Sequence, residues 1–595
     1  MAAIRQAVFA SLAISLAQFA VAASAPNTLL STVAEQSGNR RTGRYDEVER
    51  LCPAFQQRWP NQVRCFEFGR TPEGRPMLAL VASADGTLDA DSTRRAGRPV
   101  ALMQGGIHAG EIDGKDAGFL ALRQMLEGTA AKGVLNNATL LFVPVLNIDG
   151  HERFARWNRP NQVGPEEMGW RATSQNLNMN RDYVKAEAPE TQALLRLLNQ
   201  WDPILYADLH VTDGAKFEHD VSYTVMPTLA GLEPIRQVGT AVRDELMQRA
   251  TAKGSLPVDF YPSFIRDDDP TSGFAVGVNA KRFSTAYWAS RNRIGVLVET
   301  HSWKNYPTRV RITHQTILSL MEMTARDGKK WLAAAQAADQ QAAKIGGSTA
   351  VLTYTNTPHF RTLEFRGYQY SREPSGVSGA LMTRYNDKRP QIWRIPLFDE
   401  VKPEITVTVP RGGYLVPAGY ARIVSEKLAL HGIEFRTIDK ALSAAEVEVF
   451  RATKAAPAPA TFEGRSAFTL QGDWNSERRD LLAGSLFVPI AQAKSELVMT
   501  LLEPRDPDSL ASWGYFAAAF ERKEYMEAYV AEAVAEEMLR KDPALRREFE
   551  RRLEEPEFAR DPNARLEFFY RRHSSWDERF NLYPVFRSGQ AIGGQ

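Results

Sequence analysis

Four strongly apolar runs in the first half of the chain, each ending in polar or ionisable residues, constrain the fold more than any other feature. RPVALMQGG runs from Arg98 into a glycine pair, and ATLLFVPVLNIDG closes on an Asn-Ile-Asp sequence. WDPILYADLH ends on His210, and RIGVLVETH ends on Glu299, Thr300 and His301. The runs are rich in Val, Ile and Leu and alternate little, which is the pattern of strands covered on both faces. Helix-like stretches interleave with them, at Tyr45 to Trp59, Gly110 to Leu126 and Ile312 to Ala325. Two shorter strands, VRCFEFG and MLALVAS, flank the turn TPEGRP. Together these elements predict an α/β/α layering. In such sheets ligands sit where the carboxyl ends of strands meet loops, so the polar strand ends mark the expected site.

The character changes near Ala334. AAAQAADQQAAKIGGSTA reads as a helix and then a hinge, followed by β-like runs in HFRTLEFRGYQY, QIWRIPLF and EITVTVP. APAPA, residues 456–460, reads as a linker or exposed loop. The last hundred residues read as helical, with RREFERRLEEPEF as a solvated, ion-paired helix face. A chain of 595 residues is long for one core and predicts several domains.

The first residues have the form of an export signal. Arg5 gives a positive start, Val8 to Ala20 is nearly all apolar, and Ala20 and Ala22 fit a small-x-small cleavage site. The run is too short for a membrane anchor, so the mature chain is expected outside the cytoplasm, periplasmic or extracellular, with no stable membrane span. An oxidising compartment allows Cys52 and Cys65 to form a disulfide; two separately buried thiols is the other arrangement open to them. A formal net charge of +2 and the lack of a long basic run give no support for a nucleic-acid surface.

His108 and Glu111 form H-A-G-E at the first strand-to-helix junction, where residues three apart can turn to one side. With His210 at the end of a later strand they make a His2Glu set, which leaves one position open for water or substrate on a hydrolytic zinc. His151, His219, His301 and His314 lie in the same region and are alternative ligands, whereas His359, His431 and His573 read as surface or core-edge residues. Such a site needs a base that is not a ligand. Glu299, at the end of IGVLVE, is placed to take that role.

These residues resemble the zinc metallocarboxypeptidase family typified by the pancreatic carboxypeptidases, over about residues 40–330. The resemblance implies a mixed-sheet α/β/α sandwich and one Zn2+ per chain held by His108, Glu111 and His210, with Glu299 as general base. It further implies that Arg171, in GWRATS, stabilises the oxyanion, and that Asn180 and Arg181, in NLNMNRDY, grip the terminal carboxylate of a peptide. Tyr287 is the implied substrate-capping tyrosine. Where the family has an aspartate beside the metal-bound histidine, this chain has Asn178, which can accept a bond through its amide oxygen; Asp182 and Asp208 lie nearby.

The expected organisation is a signal peptide over 1–25, a zinc carboxypeptidase-like catalytic domain over 26–330, a β-rich accessory domain over 345–500 and a helical region over 501–595. The expected activity is hydrolysis of the C-terminal peptide bond of a substrate with a free carboxylate. A zinc amidase or esterase acting on small acyl-amino acids or cell-wall peptide fragments is the alternative, and a non-catalytic binding protein the third.

Overall fold

The computed structural model describes residues 28–592 except position 213. The stretch read as an export signal lies outside the described residues. An eight-stranded mixed sheet forms the centre of the first half. Its strands are β1 (Val63–Arg70), β2 (Pro76–Ala82), β3 (Val100–Gly105), β4 (Thr139–Val143), β5 (Leu205–Val211), β6 (Val221–Met226), β7 (Pro257–Val258) and β9 (Ile294–Thr300), with the short β8 (Phe274–Ala275) apart. Their order is β1-β2-β4-β3-β5-β9-β6-β7. β4, β3, β5 and β9 run parallel, while β1, β2 and β6 join their neighbours antiparallel.

The apolar composition has its cause here. Every residue of β3 and of β5 is buried, so neither strand has a wet face on which polar residues could alternate. Helices Asp113–Glu127, Glu233–Ala252 and Tyr306–Ala342 pack side by side as one helical layer. Helices Pro189–Trp201 and Ser284–Ala289 pack separately on the sheet, against β1 and against β5, β6 and β9, giving the α/β/α layering. The last begins at Asn305, whose side chain accepts from the Thr308 N–H, and runs unbroken through residue 330. Cys52, on helix Tyr45–Arg58, is disulfide-bonded to Cys65 on β1 and ties that helix to the sheet edge. Among the described residues, no helix is long and apolar enough to cross a membrane.

The second half holds three further β assemblies. β10 (Thr349–Asn356) pairs with β13 (Val401–Thr408), and the long hairpin of β11 (Arg361–Pro374) and β12 (Leu381–Phe398) pairs through β12 with β8. A six-stranded sheet is built from β14 (Gly413–Val416), β15 (Arg436–Thr437), β16 (Leu442–Phe462), β17 (Arg465–Leu481), β18 (Leu486–Pro489) and β19 (Leu582–Ser588). Two expectations are corrected here. APAPA lies inside β16, where one register shift falls just before it, between Ala452 and Lys454, and another spans Pro457 to Thr461, so it is neither linker nor loop. The chain end is also not wholly helical. Helices cover 528–541, 543–553, 556–560 and 562–570, and the fully buried β19 then enters the six-stranded sheet between β14 and β16. One hydrophobic core runs from Leu30 in the first half to Val585 in β19.

Candidate metal centre and substrate cavity

The centre lies at the carboxyl ends of β3, β5 and β9. After β3 the chain turns through Gly106, whose φ of +64° is left-handed and open to glycine at little cost. His108 and Glu111 follow in a tight turn closed by a bond from the Glu111 N–H to the His108 carbonyl. They therefore precede the helix rather than lie on it, since that helix starts at Asp113. Gly110 between them is close-packed: a Cβ there would come within 2.6 Å of Arg159 Cγ and 2.7 Å of the Gly169 carbonyl. His210 is the sixth residue of β5, registered opposite Glu299 on β9.

Ligand atoms of His108, Glu111 and His210, all buried, lie within 4.8 Å of one another, and no other such group occurs among the described residues. Glu111 is the hub. Its Oε1 lies 3.0 Å from His108 Nδ1, and its Oε2 lies 2.9 Å from His210 Nδ1 and accepts from the Val211 N–H. Arg159 and Arg171 also reach Glu111, at 2.9 and 3.3 Å. The far nitrogens of both imidazoles are oriented too. His108 Nε2 is 3.1 Å from the Asn178 amide oxygen, and His210 Nε2 is 2.9 Å from Asp208. Asp208 in turn accepts from Gln104 and from the Ser284 hydroxyl.

Burial acts differently on the three groups. It pulls His108 down to about 4, although the adjacent Glu111 carboxylate opposes it. Burial would lower His210 as well, but the Asp208 charge and bonds to Asp208 and Glu111 outweigh it and hold that imidazole well above its ordinary value. Burial would raise Glu111, yet the Arg159 charge and the two histidines keep it well below the usual carboxylate range. An imidazole held between two buried carboxylates is a place that a cation stabilises. Two nitrogens and one carboxylate oxygen converging this closely fit zinc, with outer partners already fixing each ring.

The four alternative histidines point elsewhere. His151 faces the Gly43 and Ala109 carbonyls, His219 the Leu256 carbonyl and His314 the Gln124 side chain, while His301 stacks on Phe217 at 3.9 Å. His431, expected at the surface or the core edge, is fully buried between Tyr287 and the Val184 carbonyl.

A cavity of about 390 Å³ opens beside the centre. His108, Glu111, Arg171, Asn180, Arg181 and Glu299 line it, so residues far apart in sequence share one wall. The Asn147 side chain donates to the Arg171 carbonyl and holds that loop. Asn180 Oδ1 accepts from the Ser284 N–H, which fixes that side chain. The Arg181 guanidinium lies 4.3 Å from the Phe283 ring centre. Burial and the Arg171 charge lower its pKa from the ordinary arginine value, while the Glu463 charge opposes that shift.

Tyr287 does not fit the capping role. It is fully buried, packs on Tyr183 and hydrogen-bonds His431. The tyrosine that lines the cavity is Tyr261, from the irregular DFYPSF segment, together with Ser263, Asn279, Phe283, Thr285 and Leu297. Nothing periodic marks these positions in the sequence. Asp182 is structural, receiving the Lys185 ammonium and the N–H groups of Glu187 and Ala188.

Residues 48–253 match the family model for zinc carboxypeptidases. That segment is zinc carboxypeptidase-like. Human carboxypeptidase D is 20% identical over 236 residues, 37% of this chain and 16% of the relative. Carboxypeptidase D of Drosophila melanogaster is 26% identical over 186 residues, 28% of this chain and 12% of the relative. The chain thus spans less than a fifth of the length of these curated relatives. Among solved structures, a metallo-carboxypeptidase from Burkholderia cenocepacia aligns over 49% of this chain and 70% of its own, at 16% identity and a TM-score of 0.36. Carboxypeptidase A from Helicoverpa armigera aligns over 49% and 74%, at 16% identity and a TM-score of 0.36. The zinc carboxypeptidase-like segment carries His108, Glu111, Arg171, Asn180, Arg181 and His210, and Glu299 follows it on β9.

Proposed function

We propose that the chain is a zinc metallocarboxypeptidase that hydrolyses the C-terminal peptide bond of peptides with a free carboxylate. The observation that carries this reading is the shared cavity. His108 and Glu111 of the His2Glu cluster, a non-ligand carboxylate and two arginines line one space of about 390 Å³, with His210 directly behind them, and that space is enough for a terminal residue and its neighbour.

His108, Glu111 and His210 would hold one zinc ion. Bound there, zinc supplies Lewis acidity, which polarises a carbonyl and makes water a nucleophile near neutral pH. Arg181 and Asn180 receive the substrate carboxylate, the guanidinium through paired N–H donors and the amide through a neutral one. That contact sets the scissile carbonyl in reach of Arg171, whose charge faces the oxygen as negative charge develops. Glu299, held at the end of β9, takes the proton from the attacking water and returns it to the leaving nitrogen. The proton balance closes, because water gives its hydroxyl to the acyl carbon and its proton to the amine.

On this reading residues 26–330 supply the chemistry, and residues 345–500 and 501–595 are accessory regions. Export is supported by the disulfide, since such bonds persist in oxidising compartments. The test is metal content of the purified chain. The expected result is one zinc per chain in the native protein and loss of zinc in His210→Ala. Equal zinc in both would remove His210 from the ligand set.

A further inference from the structure

The tip of the β16–β17 hairpin reaches back to the candidate site. β16 ends at Phe462 and β17 starts at Arg465, so Glu463 and Gly464 form a two-residue turn. Both have positive φ, +49° and +78°, as in the tight hairpin turns whose twist matches the strands. That turn aims the Glu463 carboxylate at the loop ahead of Asn180, where its Oε2 accepts the Asn178 N–H at 2.9 Å.

Asn178 is the joint between the two halves of the site. Its amide oxygen faces His108 Nε2 at 3.1 Å and accepts the Asn180 N–H at 3.0 Å. A single helical turn, Met179–Arg181, then presents Asn180 and Arg181 to the cavity. The Glu463 charge also acts on Arg181, opposing the effects of burial and of Arg171.

The hairpin tip is itself anchored. Phe462 stacks on Trp513 with centroids 6.0 Å apart. Arg465 pairs with Glu187 and lies 4.1 Å from the Tyr515 ring centre, and Tyr515 donates to Glu187 as well. Arg282, paired with Asp508, covers both Phe462 and Trp513. A carboxylate on so braced a turn can hold a loop that would otherwise rely on its own short contacts.

We propose that Glu463 is a positioning residue, through which the C-terminal hairpin fixes Asn178 and thereby both the His108 ring and the Asn180–Arg181 pair. The inference deepens the carboxypeptidase reading and rests on it for the roles of His108 and Arg181. Its physical content, a loop pinned from the other end of the chain, can be tested without turnover.

The experiment compares the full-length protein with Glu463→Ala and Glu463→Gln by three readouts. Amide hydrogen exchange is followed in the peptide spanning residues 176–184, zinc affinity by chelator competition, and kcat and KM on a peptide with a free C-terminus. In Glu463→Ala, exchange in that peptide should rise about tenfold and zinc affinity should fall about tenfold, as for loss of an outer partner of a metal ligand. KM should rise more than kcat falls. Glu463→Gln keeps an oxygen acceptor and should recover most of the exchange protection and zinc affinity. Unchanged exchange and unchanged zinc affinity in Glu463→Ala would overturn the proposal. If the native protein cut no peptide while Glu463→Ala still loosened the segment, the proposal would stand and the peptidase reading would fail.

Discussion

The metal end of the cavity and its substrate-facing wall are built in different ways. Metal-end groups come from the ends of β5 and β9 and from the turn after β3, and neighbouring strands or close chain segments set their positions. His108 and Glu111 share one turn, while His210 and Glu299 are registered partners on adjacent strands. The wall is assembled from afar. Asn180 is fixed by Ser284, 104 positions on, and Asn178 by Glu463, 285 positions on. A sheet edge provides rigid placement from local sequence, whereas the wall depends on how the later β regions dock. Damage at the metal end should therefore appear in kcat and metal content, and damage at the wall in KM and local order, with zinc affinity affected only through Asn178, which also faces His108.

The largest expected effect falls at the metal end. Glu299→Gln should retain zinc but lower kcat about 100-fold to 10,000-fold, the usual contribution of a positioned acid-base group. Metal analysis beside steady-state kinetics checks both parts, and near-normal turnover would remove Glu299 as the base. Breaking the disulfide should leave both ends of the cavity intact. Cys52→Ser should lower unfolding free energy by about 3 kcal/mol, from release of a short closed loop, with kcat/KM unchanged. Denaturant unfolding measures the first, and a large activity loss would mean that the sheet edge feeds into the site.

The wall should respond in the other parameter. Arg181→Ala should raise KM for peptides with a free C-terminus about 10-fold to 100-fold, the loss of a hydrogen-bonded charge contact, with a much smaller change in kcat. Equal losses on amidated peptides would contradict its role as carboxylate receptor. The remaining effect is pH-dependent and concerns a contact between the two halves of the chain, where His431 binds Tyr287 and the Val184 carbonyl. Burial, with added repulsion from Lys427, Arg291 and Lys494, pulls this imidazole down to about 3. The unfolded chain binds the proton first, near pH 6.5, so stability is complete above that pH and is lost as pH falls toward 3. The contribution is about 1.4 kcal/mol per pH unit at most. His431→Gln should flatten the acid limb of a stability profile measured between pH 7 and pH 4, and an unchanged slope would show that His431 does not carry it.

The same contrast explains what the sequence discloses. The sheet strands were legible because burial on both faces forces continuous apolar runs, and the metal group because its residues close those runs or the turn after β3. Arg171, Asn180 and Arg181 were reachable through a family resemblance carried by short motifs. Tyr287, implied as the capping tyrosine by the resemblance alone, is instead buried against His431, while Tyr261, in an irregular segment with no motif to mark it, lines the cavity. Arg159 and Glu463 carried no local signal, since each acts on a distant stretch of chain. APAPA read as a break because proline-rich composition dominates locally, yet the strand bulges around it and continues.

The central claim is that this cavity removes residues from free C-termini with the help of zinc. It is tested most directly by incubating the zinc-loaded protein with a defined peptide mixture, each peptide present with a free and an amidated C-terminus, beside a chelator-treated control. Mass spectrometry should show zinc-dependent loss of single residues from the free termini alone. Intact peptides of both kinds, or cleavage that ignores the terminal carboxylate, would contradict the account.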